Sequence, residues 1–121
     1  QAAIAACHAR ARTAAETDWV QIAELYARLS RVSPSPVVEL NRSVAVGMAY
    51  GPEAGLLMVD ALAAEPALNS YHFLPAVRGD LLQKLGRLEE AAAEYRRAAA
   101  MTRNTREKTL LTARATACDA R

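Results

Sequence analysis

The sequence predicts an all-α chain, and three observations carry that prediction. Apolar residues recur with the 3.6-residue spacing of a helix along most of the 121 positions. Over half of the residues are hydrophobic and much of that share is alanine, which has the best helix propensity and lets helix axes approach closely. No stretch alternates apolar and polar residues with period two for long enough to make a strand.

Breaker residues divide this pattern into seven expected helices, at 2–14, 18–31, 36–49, 52–64, 71–85, 88–101 and 105–119. The first, "QAAIAACHARA", opens on Gln1 with neither methionine nor cap, as if a helix were already under way, and the chain is expected to be a piece of a longer protein. Thr17-Asp18 caps the second helix. Pro34 and Pro36 separate it from the third, with Ser35 as a candidate cap and Pro36 at the first helical position, where a missing N–H costs nothing. Gly51-Pro52, then Pro66 with Asn69-Ser70, then Gly86, then Asn104 mark the later breaks.

At this length the chain is expected to be one domain, residues 1–121. No run approaches the ~20 apolar residues that cross a bilayer, and no signal-peptide pattern is present. Cys7 and Cys118 stand near opposite ends without metal-ligand spacing, so a reduced, cytoplasmic protein with no cofactor and no metal is expected. Cys7 and His8, adjacent on a helix, point about 100° apart and suit neither a metal nor an ion pair. The net charge of +2 is too small to indicate a nucleic-acid binder. The charge is lopsided, however: residues 1–68 hold five Lys/Arg against seven Asp/Glu, and residues 69–121 hold ten against six. Arg96, Arg97, Arg103, Arg106, Lys108 and Arg114 supply most of that basic excess, which suits a solvated helix face, with an acidic protein partner or a phosphate backbone as the alternatives.

Every second helix carries the same ladder. Ile22 is followed by Tyr26, Leu29 and Pro34; Ala54 by Met58, Ala61 and Pro66; and Ala91 by Tyr95 and Ala98, with Arg103 in place of the proline. The ladders stand 32 and then 37 residues apart, bracketing the period of roughly 34 residues of a tetratricopeptide (TPR) array. A small residue lets the two helices of a hairpin cross, a large one fills the groove a turn later, and proline stops the helix. The clearest copy is "LLQKLGRLEEAAAEYRRAAAM", with Gly86 between its helices. Repeats at about 3–34, 35–68 and 72–105, capped by a helix at 105–119, then make a TPR-like right-handed array of three antiparallel helix pairs. Trp19 begins the "Trp19, Ile22, Leu25/Tyr26, Leu29" stripe and is expected in the core. The first helices of the pairs lack the usual TPR pattern: Pro75 stands where a bulky residue is expected and Arg78 where an apolar one is, whereas Gly79 fits.

The blocks "QAAIAACHA", "DWVQIAELYARL", "PSPVVELNRSVAVG", "GPEAGLLMVDAL" and "LLQKLGRLEEAAAEYRRA" follow one another in this chain. In that order they resemble the C-terminal TPR-like extension of a group of bacterial extracytoplasmic-function (ECF) sigma factors, over Gln1 to about Arg114. The Asp18-Trp19 and PSPVVELNR blocks are the specific parts, since generic TPRs lack them; the family usually has alanine at Ser43. The resemblance implies an accessory regulatory domain of a transcription initiation factor. The regions that bind core RNA polymerase and read the promoter would lie outside this segment, and the domain would act in place of a separate anti-sigma protein. Its implied partners are the sigma regions of the same full-length chain, core RNA polymerase, or both, with no membrane and no direct DNA contact by this segment.

The candidate protein-binding groove comprises Glu39, Asn41, Arg42, His72, Arg78 and Asp80, on the first helices that line the inner surface of a TPR array. Asn41 and Arg42 are the informative pair, an amide and a guanidinium within a helix that otherwise reads as core. In the structural reading, Asn41 bonds a backbone carbonyl and Arg42 pairs with Asp80; in the functional one, both meet a bound segment. His72, in "YHF" before Pro75, caps a helix or contacts a ligand. No phosphate-cradling glycine loop, no Gly-x-Ser-x-Gly elbow and no histidine pair at i, i+4 occurs, and Glu89-Glu90 sit at a helix start where they favour the dipole. The sequence therefore reads as a non-enzyme with no catalytic residue. An interaction module is the first expectation, a small-ligand sensor using the same groove the alternative.

Overall fold

A computed structural model describes residues 18–119, which form six α-helices and one 3-10 turn; no strand occurs among the described residues. The helices are α1 (Trp19–Val32), α2 (Pro36–Tyr50), α3 (Pro52–Leu62), α4 (Phe73–Lys84), α5 (Leu88–Met101) and α6 (Thr105–Asp119), with the turn at Pro66–Leu68 between α3 and α4. The chain is all-α, as the sequence predicts. The expected helix at 2–14, with Cys7 and His8, lies outside the described residues.

The breaks are built from the residues that signal them. The Asp18 carboxylate accepts the Gln21 amide at 3.0 Å, capping α1. Ser35 occupies the N-cap position of α2 with Pro36 at the first turn, but its hydroxyl makes no capping bond. Gly51 alone joins α2 to α3, at φ 110°, a conformation that glycine adopts at little cost. Gly86, at φ 78°, closes α4 with a Schellman pattern: its amide donates to the Gln83 carbonyl and the Arg87 amide to the Leu82 carbonyl. Asn104 caps α6, accepting the Glu107 amide at 3.0 Å. Pro75, out of place by the repeat pattern, is the third residue of α4. There its missing N–H is one that no helical turn would satisfy, and its ring is fully buried.

Each helix packs against the helix before it and the helix after it in sequence. One core runs from α2 to α6, around Leu40, Val59, Leu82, Ala91, Tyr95 and Ala98. A smaller cluster joins α1 to α2 through Ile22, Ala23 and Ala45, with half-buried Trp19 and Tyr26 against it. Small residues set the closest crossings. A Cβ on Gly79 would meet the Tyr95 ring at 3.0 Å, so α4 and α5 close with the aromatic seated on bare backbone. The Tyr95 hydroxyl donates to Gln83 Oε1 at 2.8 Å, and burial pushes its phenol up to about 12, with Asp80 adding to the shift.

The α2–α3 crossing is tighter, and it corrects the second ladder. A Cβ on Gly55 would meet the Ser43 carbonyl at 2.8 Å and the Gly47 Cα at 3.0 Å, so the two backbones touch. Gly55, Leu56 and Val59 are the buried residues of α3; Ala54 and Met58 are only half-buried and Ala61 is exposed. The repeat therefore falls one residue later, as Gly55, Val59 and Leu62. Pro66 misleads the alignment because α3 has already ended at Leu62 and the proline opens the 3-10 turn instead. Ser43, fully buried at this crossing, donates its hydroxyl to the Leu40 carbonyl at 2.5 Å, so the core holds no orphan there.

Candidate functional site

Helical geometry sorts the polar residues of α2 into two sides. At 100° per residue, Val37, Asn41, Val44 and Met48 fall within about 60° of one another, while Glu39 and Arg42 turn away. On that far side Glu39 bridges two helices: it accepts from the Ser30 hydroxyl of α1 and pairs with Arg42 at 3.2 Å. The expected Arg42–Asp80 pair does not form. Asp80 instead meets Lys84, one turn along α4, at 3.0 Å. Nor does Asn41 bond a backbone carbonyl: its half-buried amide makes no side-chain hydrogen bond among the described residues, and it lies in line with Val44.

Arg78 also leaves the expected groove. It sits on the side of α4 opposite Asp80 and Lys84, where its Nε donates to Asp60 Oδ1 of α3 at 2.8 Å and its Nη1 lies 3.4 Å from Glu94 Oε1 of α5. Glu94, 12% exposed at its side chain, is also 3.7 Å from Arg97. The Asp60 hydrogen bond raises the Arg78 pKa further, against the opposing effect of burial. This guanidinium therefore ties α3, α4 and α5 together, which explains a charge where the repeat pattern wants an apolar residue.

A different set of side chains comes together where α2, α4 and α6 border a common groove. One hollow of about 190 Å³ is floored by Val44 and Gly47 of α2 and by Phe73, Ala76, Val77 and Leu81 of α4. Asp80, Lys84 and Arg114 rim it, the last from α6. Lys84 Nζ also reaches Met48 Sδ at 3.5 Å, linking α4 to exposed Met48 on α2. A second hollow of about 210 Å³ shares Phe73 and Ala76 and is completed by His72, Glu107, Leu110 and Leu111. At that end His72 Nε2 meets Glu107 Oε2 at 2.5 Å, and the same carboxylate accepts from the Thr102 hydroxyl at 3.2 Å.

Of the six expected groove residues, Asp80 and His72 line these hollows and Asn41 lies in line with one of them. Glu39 and Arg78 serve interhelical ties, and Arg42 pairs with Glu39 on its own helix. Lys84 and Met48 were within reach of sequence reasoning, since each continues a stripe that Asp80 or Asn41 begins. Arg114 and Leu110 were not, because the sequence does not say which helix borders α4. The basic end is partly neutralised: Arg96 pairs with Asp119 and Arg97 with Glu94, while Arg103, Arg106 and Lys108 are exposed.

Over 107 residues, 88% of this chain, the sequence is 50% identical to an uncharacterized protein of Rhizobium meliloti (strain 1021). The chain spans about a quarter of that relative's length. No protein-family model and no solved structure matches it. Among the described residues, no helix is long and apolar enough to cross a membrane.

Proposed function

We propose that the chain is an accessory, regulatory protein-interaction domain of an ECF-type RNA polymerase sigma factor, working in the cytoplasm. The observation that carries this reading is the ordered run of "DWVQIAELYARL", "PSPVVELNRSVAVG" and "LLQKLGRLEEAAAEYRRA", which resembles the TPR-like tail of that group. Two further facts support it. Alternate helices α2, α4 and α6 border one groove, as the first helices of TPR pairs do, and the chain matches a segment of a much longer relative. In this reading the groove holds either the sigma regions of the same full-length chain or core RNA polymerase, and its occupancy sets how readily transcription starts.

The test is a pull-down from native bacterial lysate with the chain as bait, beside a Lys84→Glu/Arg114→Glu version. Both side chains lie at the groove rim and are exposed, so the substitutions leave the core intact. Recovery of sigma regions or core polymerase by the wild type, and its loss in the double variant, is the expected result. Recovery of neither contradicts the reading and favours the small-ligand alternative for the same hollow.

A further inference from the structure

The two hollows lie in a row. The first is bordered by Asp80 and Lys84 of α4, the second by His72 and Phe73, and Phe73 and Ala76 belong to both. Along α4 the first is lined between Phe73 and Lys84 and the second between His72 and Ala76, so at 1.5 Å rise per residue their midpoints are roughly 7 Å apart. That is close to the rise of roughly 6 Å between positions i and i+4 of an α-helix, one of the spacings with which an amphipathic helix seats its anchors in a groove. Leu110, at 51% exposure, extends the apolar surface beside the second hollow.

The two ends differ in charge. At the His72 end, the imidazole and Glu107 satisfy each other. At the other end, Lys84 and Arg114 face a single carboxylate, Asp80, which Lys84 already holds. Among the described residues Arg114 makes no ion pair. The groove thus has an apolar floor and an uncompensated cation at one end.

From this placement we propose that the groove takes an amphipathic helix of a protein partner. Two apolar side chains four residues apart fill the hollows, and an Asp or Glu within one turn of one anchor meets Arg114 and Lys84. The proposal rests on the reading of this face as an interaction surface and names what it recognises.

A displayed library of helical peptides, randomised along one face and selected on the immobilised chain, tests it. The expected result is enrichment of an apolar pair spaced by four with an acidic residue beside one member. Binding of a selected peptide should weaken ~10-fold or more, about 1.4 kcal/mol, with Arg114→Glu and with Leu110→Glu. Both residues are exposed, so loss of binding is not loss of fold, and far-ultraviolet circular dichroism checks this. Exchanging the peptide's acid for lysine should restore binding to Arg114→Glu. Four outcomes would overturn the proposal: no enrichment, enrichment without the acid, indifference to both substitutions, or a chain that dimerises through this face. If selection fails while the pull-down still recovers polymerase, helix docking falls and the accessory-domain reading stands. If selection succeeds and polymerase is absent, the reverse holds.

Discussion

Gly55→Ala should destabilise the chain by about 2 kcal/mol even though it adds the best helix former to the interior of a helix. The added Cβ would stand 2.8 Å from the Ser43 carbonyl and 3.0 Å from the Gly47 Cα, and both are backbone atoms of α2 that no rotamer change can move. The helices must separate, which loosens the contacts of Leu56 and Val59 that the crossing buries. The propensity gain of roughly 1 kcal/mol is outweighed. Gly47→Ala is the matched comparison. Its Cβ would meet Leu81 Cδ2 at 2.9 Å, the far end of a flexible side chain that can rotate aside. Thermal unfolding followed by circular dichroism should show Gly55→Ala melting about 8 °C below wild type, with Gly47→Ala close to it. Equal effects would contradict the backbone contact.

Arg78→Met keeps the aliphatic stem and removes the charge that faces both Asp60 and Glu94. Asp60 is half exposed and returns to water at little cost. Glu94 is 12% exposed, and it would keep only Arg97, at 3.7 Å, as a charged neighbour. A mostly buried carboxylate stripped of its nearest cation should cost about 2–3 kcal/mol in urea denaturation. Glu94→Gln in the same background should recover part of that loss, so the double-mutant cycle should give a coupling of about 1 kcal/mol or more. Additive effects would mean that the ion pair contributes nothing beyond its separate members.

Much of the fold was legible because its punctuation is chemical. Asp18, Pro36, Gly51-Pro52, Gly86 and Asn104 each stand at the helix boundary they signal, since capping, a missing N–H or a positive φ acts within a few residues. The third ladder was legible for the same reason: Gly79 and Tyr95 leave one tight solution for α4 on α5. The second was misread by one residue because alanine abounds in this chain and so discriminates weakly between registers. Only the backbone contact at Gly55 fixes the register. The groove was half legible. Asn41 and Asp80 gave the right sides of α2 and α4, but polarity alone did not separate them from Arg42, which pairs with Glu39 on its own helix, and Arg78, which reaches two neighbouring helices. That distinction needs the side on which the next helix packs. The share of α6, Arg114 and Leu110, depends on which non-adjacent helices meet, and no local pattern encodes that.

The two halves of the groove then fit one role. Interhelical ties on the outer sides, Ser30–Glu39 and Asp60–Arg78–Glu94, hold the helices in register. The face they leave open carries apolar hollows and a cationic end. Such a face can change occupancy without changing the fold.

Run-off transcription with core RNA polymerase, by the full-length protein and by the same protein lacking this domain, decides whether the domain regulates initiation. Promoter-dependent transcripts are expected from the full-length protein, with a severalfold change in their yield on removing the domain or introducing Lys84→Glu/Arg114→Glu. Absence of polymerase-dependent initiation, or a yield indifferent to both changes, would contradict that role.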